Sequence, residues 1–331
     1  MKLFGKILLG LLALLIAAIL AFRTPDTDPA EMRAKYGAVP SQFVALANGQ
    51  TVHLRDEGPR DAPAIILIHG SNADLHTWQT WVDGLKRDYR VIRFDQRGHG
   101  LTGPAKDGDY TLAAFVEDVE DIVESLKLEE FVVAGNSMGG RVAFAYAMQH
   151  PEMVDGVVMV DSSGAPITRR GSGAVGFTIA KTPILRNIVA HVTPRWLVER
   201  SLQQTVRNQA IVTDAVVDRY WELLRYPGNR EATIAQMIQP RTAFDEDVVE
   251  AMSRPVLLMW GEEDTLSPVE GGLWYQQHLP NSKLVLYPGY GHLPHEEVAQ
   301  QSLADLREWL ATLDLADNAA EPSETKPVQA K

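Results

Sequence analysis

Short, continuous apolar runs alternate along this chain with longer stretches whose apolar residues recur every three or four positions. The runs fall at 41–46, 50–55, 64–69, 90–94, 131–135, 157–161, 255–260 and 283–287. The later ones, such as FVVAG at 131–135 and PVLLMW at 255–260, are unbroken by charge, as strands covered on both faces are. Helical stripes lie between them. In 111–126, Leu112, Phe115, Val116, Val119, Ile122, Val123 and Leu126 share one face and acids occupy the other, which predicts an amphipathic helix. A second helix is expected from about 138 to just before Pro151, and a last one over 295–313. This alternation predicts an α/β fold, a mostly parallel eight-stranded sheet with helices on both faces.

Two segments depart from the alternation. About ninety residues separate Asp161 from Pro255, where a parallel crossover needs only about a dozen. The excess, 164–240, holds Phe177, Ile184, Leu185, Trp196, Tyr220 and Trp221. It reads as a helical insertion with a small core of its own, dividing the sheet domain into 41–163 and 241–313. The other departure is the N-terminus. Residues 7–22, ILLGLLALLIAAILAF, carry no charge, and with Leu3, Phe4 and Gly5 they are long enough to cross about 30 Å of hydrocarbon. Residues 1–23 therefore read as a single-pass membrane anchor, and 24–40, with Pro25, Pro29 and Pro40, as a linker. Lys2 and Lys6 before the span, and Asp26, Asp28 and Glu31 after it, predict a body on the extracytoplasmic (periplasmic or outer) side. A cleaved signal peptide and a secreted body is the alternative. Residues 314–331 are polar and are expected to form a disordered tail.

Composition narrows the chemistry. With 31 basic and 43 acidic residues the net charge is −12, which argues against nucleic acid as a partner, since phosphate contacts need clustered Lys and Arg. Cysteine is absent, which removes disulfides, thiolate nucleophiles and Cys-bound metals. Nothing in the pattern sets an oligomeric state.

One constellation carries reactive groups. Residues 131–140, FVVAGNSMGG, place Ser137 in G-x-S-x-G between a strand and a helix. A turn that sharp needs small neighbours, and it lifts the hydroxyl above the carboxyl edge of the sheet. Serine needs a base to take its proton and an acid to hold that base in one tautomer. Asp264 sits in the turn after the strand 255–260, and His292 in the turn after 283–287, the chain order Ser–Asp–His expected of such a sheet. Asp161, at another strand end, competes as the acid; Glu262 and Glu263 read as turn charges. His295 competes as the base but is expected to face solvent. The backbone N–H groups of Met138 and of Ser71, in His69-Gly70-Ser71-Asn72, would receive an oxyanion. The His69 side chain is expected to bond locally.

No cofactor or metal is expected. Gly98-His99-Gly100-Leu101-Thr102-Gly103 fits G-x-G-x-x-G, but Pro104 and a loop to 110 follow where a dinucleotide site needs a helix. His292 and His295 lack the carboxylate that would complete a metal set.

Together these residues resemble the α/β-hydrolase fold superfamily over 41–313. The motifs are His69-Gly70, Asp95-Gln96-Arg97-Gly98-His99-Gly100, the serine elbow, Gly261–Asp264 and Gly291-His292. The resemblance implies a Ser–Asp–His hydrolase with a lid inserted after strand six, where 164–240 lies. The elbow G-N-S-M-G-G is similar to that of meta-cleavage-product carbon–carbon hydrolases. Those enzymes usually follow the histidine with tryptophan, and this chain has Leu293. The function expected is hydrolysis of an ester-type bond (carboxylic ester, thioester or lactone) in a fairly hydrophobic small molecule, through an acyl-enzyme on Ser137. Carbon–carbon hydrolysis and a non-catalytic ligand-binding role are the alternatives.

Overall fold

A computed structural model of the chain describes residues 4, 6, 7, 9, 10, 23–167, 182, 186, 190–240 and 242–315. Eight strands form one sheet: β1 (Ser41–Ala45), β2 (Thr51–Glu57), β3 (Ala64–Ile68), β4 (Arg90–Phe94), β5 (Phe131–Asn136), β6 (Val154–Val160), β7 (Val256–Gly261) and β8 (Ser282–Tyr287). Their order is β1-β2-β4-β3-β5-β6-β7-β8. β2 pairs antiparallel with β1 and β4, and every other pairing is parallel. The eight apolar runs found in the sequence are these eight strands.

Among the described residues, α1 (Pro29–Tyr36), α2 (Gln79–Leu85), α3 (Leu112–Leu126) and α4 (Met138–Gln149) precede the insertion. Within it lie α5 (Arg195–Thr205), α6 (Asp214–Leu224) and α7 (Asn229–Ile238). After it come α8 (Glu246–Glu250), α9 (Val269–His278), α10 (Pro294–Glu297) and α11 (Ala299–Leu310). Alternation along the central strands decides which helices cover which face. Ile66, Ile68, Val133, Met159 and Leu258 pack with Phe115 and Val119 of α3, Val142 and Phe144 of α4 and Tyr275 of α9. Ile65, Leu67, Val132, Val158 and Leu257 pack on the other face with Trp81 of α2 and Leu306 and Trp309 of α11. Every strand residue named here is fully buried, so both faces had to be apolar.

The lid is held differently. Val198, Leu202, Val217 and Tyr220 share a small apolar cluster with Ala73 of the sheet domain. Leu223 of α6 also packs with Met32 of α1 and Leu101, and Ala232 of α7 joins the main core; charged side chains add to these apolar contacts. Arg219 of α6 lies 3.2 Å from Asp74 and 3.9 Å from Glu296. Neither contact is an aligned hydrogen bond, so the pairing is chiefly one of charge. Burial works to raise the pKa of Asp74, but Arg219 and the hydrogen bonds from His76 reverse this and hold its carboxyl below the usual range.

The expected linker 24–40 contains an ordered helix. Asp28 caps α1, accepting from the N–H groups of Ala30 at 2.8 Å and Glu31 at 3.0 Å, and Pro29 fills the first turn. Asp-Pro is a helix start, a signal masked by the surrounding prolines. The segment is also fastened to the lid. Thr27 N–H donates to Arg225 O, and Arg225 Nε donates to Pro25 O. Arg230 donates to Thr24 O, and the Tyr36 hydroxyl donates to Glu222. No helix of the described residues is long and apolar enough to cross a membrane. The anchor expected over 1–23 lies mostly outside the described residues, as do the tail from 316 onward and much of the lid before residue 190.

Candidate active site

β5 runs fully buried into the elbow and α4 leaves it at Met138. Ser137 has φ 54°, a left-handed conformation that costs a non-glycine residue energy and persists where surroundings impose it. The flanking glycines show what imposes it. A Cβ on Gly135 would lie 2.2 Å from the Gly139 carbonyl carbon, and one on Gly139 would lie 2.2 Å from Ile68 O. Met138 opens α4, so its N–H has no carbonyl one turn back. The Ser71 hydroxyl reaches the Met138 sulfur at 3.4 Å, and a Cβ on Gly70 would meet the Ser137 Cβ at 3.3 Å. The loop after β3 therefore closes over the serine, and the two residues expected to supply oxyanion donors lie side by side.

His292 and Asp264 meet through Nδ1 and Oδ2 at 2.7 Å. Both are buried. The Asp264 carboxylate also accepts from the N–H groups of Leu266 at 2.7 Å and Ser267 at 3.1 Å, which fixes its plane. Glu262 and Glu263 are exposed in the same turn. His295 is not at the surface: it is buried, its ring centroid 4.3 Å from that of Trp78, with Nε2 3.1 Å from the Thr77 hydroxyl. Burial first, then His292, lowers its pKa to about 3. It lies at the start of α10, whose short turn faces α2 rather than water; helix position alone could not show this. His69 bonds locally, to Gly70 O at 2.7 Å, and accepts from Gln96 N–H at 3.0 Å. The glycine motif at 98–103 folds back on itself, Gly98 N–H donating to Gly103 O.

Three further residues organise the site. Asn136, beside the serine, donates through Nδ2 to Val160 O and to His292 O, both at 3.1 Å, which ties the elbow to the histidine loop. Glu297 accepts from four backbone N–H groups: Arg207 and Asn208 in the lid, and Gly291 and Leu293 on either side of His292. Neither residue carries a sequence signal, because each acts on backbone brought near only by folding. The third is Asp161, weighed from the sequence as a rival acid. One atom each of Asp161, Asp264 and His292 lies within 4.8 Å of the others. His292 Nδ1 and Asp264 Oδ2 are already bonded to each other, and Asp161 is the third member of this buried carboxylate–imidazole cluster.

Residues 63–299 match the family described as alpha/beta hydrolase fold. Among curated proteins, 2-hydroxymuconate semialdehyde hydrolase of Pseudomonas putida is 29% identical over 279 residues, covering 81% of this chain and 94% of that protein. Among solved structures, a meta-cleavage product hydrolase from Pseudomonas fluorescens superposes with a TM-score of 0.72 at 21% identity, over 82% of this chain and 97% of that one. A membrane phospholipase A, a bacterial virulence factor, superposes with a TM-score of 0.73 at 23% identity, over 97% of this chain and 100% of that one. The sheet order, the strained serine elbow and this match over most of the chain agree, and the chain belongs to the alpha/beta hydrolase fold family.

Proposed function

We propose that the chain is a hydrolase with Ser137 as nucleophile. His292 takes the serine proton, Asp264 holds the imidazole, and the Met138 and Ser71 N–H groups receive the oxyanion. The observation that carries this reading is the 2.7 Å bond between His292 Nδ1 and Asp264, which leaves Nε2 as the proton-accepting nitrogen. Attack on a carbonyl gives an acyl-enzyme, the leaving group takes the proton from His292, and water activated by the same ring releases the acid.

Two bonds fit this chemistry. The comparison with 2-hydroxymuconate semialdehyde hydrolase favours a carbon–carbon bond next to a ketone, the departing carbon taking the proton. An ester is the second reading, favoured by Leu293 where the carbon–carbon enzymes usually carry tryptophan. Purified protein should be offered a meta-cleavage dienoate, followed by loss of its visible absorbance, and p-nitrophenyl esters of graded length. The substrate turned over with the higher kcat/KM identifies the bond. If neither reacts and a fluorophosphonate leaves Ser137 unlabelled, the hydrolase reading fails.

The apolar run 7–22 and its flanking charges support membrane anchoring, with the body outside. The fastening of residues 24–36 to the lid would then bring the lid, including exposed Trp196, next to the bilayer. Full-length protein should stay with membranes through alkaline carbonate washing. Release into the supernatant would overturn this.

A further inference from the structure

Asp161 follows β6 with φ 44° and is completely buried. Its Oδ1 accepts from Gly261 N–H at 3.0 Å, while its Oδ2, equally buried, has no conventional donor. The site is shared with Asp264 and His292 inside 4.8 Å. Two buried carboxylates that close do not both ionise; the pair holds one proton between them. Its location follows from the donors. Asp264 receives three, from Leu266, Ser267 and His292, which stabilise its charge, and Asp161 receives one.

We infer that Asp161 is a positioning residue whose protonated carboxyl donates to Asp264, so that a single negative charge lies under His292. Burial, then the charge of Asp264, raises the Asp161 pKa well above the ordinary value. The titratable groups facing the carboxyl are Asp264 and His292 from the turns after β7 and β8, Glu297 from α10 and the Tyr287 phenol of β8. Of these only His292 can become a cation, so a second ionised carboxylate would be balanced by keeping the ring protonated. A protonated ring cannot accept the proton of Ser137. Asp161 thus adds no second negative charge beside the ring and holds the Asp264 carboxylate in plane.

The inference rests on the Ser137–His292–Asp264 reading, and its test separates the two. D161A, which removes the donor, should lower kcat about ten- to a hundredfold, the size expected for one hydrogen bond to a charged group. KM should change little, and the acid limb of the pH profile should move to higher pH, because Asp264 without its donor holds the protonated ring more strongly. D161N keeps both a donor toward Asp264 and an acceptor for Gly261, and should restore kcat to within about threefold of wild type, with the wild-type limb. Infrared spectroscopy of the resting protein should show a protonated-carboxyl stretch that D161N abolishes, a readout independent of turnover and of whether D161A folds. A D161N as impaired as D264N, a D161A with wild-type kcat and pH profile, or no such band would each overturn the inference. A wild-type protein inert to every ester, dienoate and fluorophosphonate would overturn the hydrolase reading instead, and the band would still decide the shared proton.

Discussion

The sheet's carboxyl edge and the lid are neighbours held by different means. Ser137 and Asp264 follow strands buried on both faces and His292 follows the half-buried edge strand β8, and each turn is fixed by backbone contacts: Gly139 against Ile68, Leu266 and Ser267 onto Asp264, Asn136 onto His292. The described lid combines several apolar contacts with long charged side chains, Arg219 reaching Asp74 and Glu296 and Arg195 reaching Asp214 and Asp218. Backbone packed at crystal-like density holds reacting atoms to fractions of an ångström. Side-chain charge pairs hold a surface in place with looser geometry. The two regions touch at His292, whose N–H donates to Thr205 O of the lid.

The largest expected effect tests the edge alone. Ser137→Ala should lower kcat by roughly 10³- to 10⁶-fold while leaving thermal unfolding within about 1 kcal/mol of wild type; retention of a tenth of the activity would remove Ser137 from the chemistry. Glu297 joins the two regions. Glu297→Ala orphans four backbone N–H groups, so a loss of about 3–5 kcal/mol in urea unfolding is expected, with kcat falling as the His292 loop loosens. Unchanged kcat would mean the loop is held without it.

Arg219→Met should separate the regions. It leaves Asp74 and Glu296 facing each other, and about 2–4 kcal/mol of stability should be lost. Because the triad is not touched, kcat on a small substrate should stay near wild type, while KM for a bulky one rises. Equal losses on both would mean that the lid and the edge are one mechanical unit.

Acid should attack the edge before the lid. His69, His99 and His295 are buried and uncharged, and burial lowers the pKa of each, to about 3 for His99 and His295. Below the unfolded value of 6.5 the unfolded chain binds more protons than the folded one, so their stabilisation is full above that pH and is lost as pH falls toward 3. Asp161, raised by burial, acts in the opposite direction and offsets part of the loss. From pH 7 to 5 a net decrease of about 1–3 kcal/mol is expected, read as a lower urea midpoint. A midpoint that rises would contradict uncharged histidines. The smallest effect belongs to Trp196, which is 60% exposed on α5: Trp196→Ser should shift unfolding by no more than about 0.5 kcal/mol, and a larger shift would show a packing role.

How much of this was legible beforehand depends on whether a signal is local. The strands were, because unbroken runs such as 131–135 and 255–260 have no other stable place than a doubly covered sheet. Ser137 was, since a strand–turn–helix with glycines at both flanks is a local steric fact. Asp264 and His292 could be placed at strand ends, but their bond could not be seen. The helix at Pro29–Tyr36 was hidden by prolines whose meaning depends on the cap at Asp28. His295, Asn136 and Glu297 carry no pattern at all: a histidine one turn from solvent or from Trp78 has the same neighbours in sequence. The sequence by itself determined the sheet, the elbow and the chain order of the reactive residues, because period and turn sterics act within a few residues. Only the tertiary structure decided which acid lies under His292, that a second carboxyl shares its site, and that the lid is fastened to residues 24–36. Those depend on groups as far as 206 positions apart, and burial sets their charge only once the chain has closed around them.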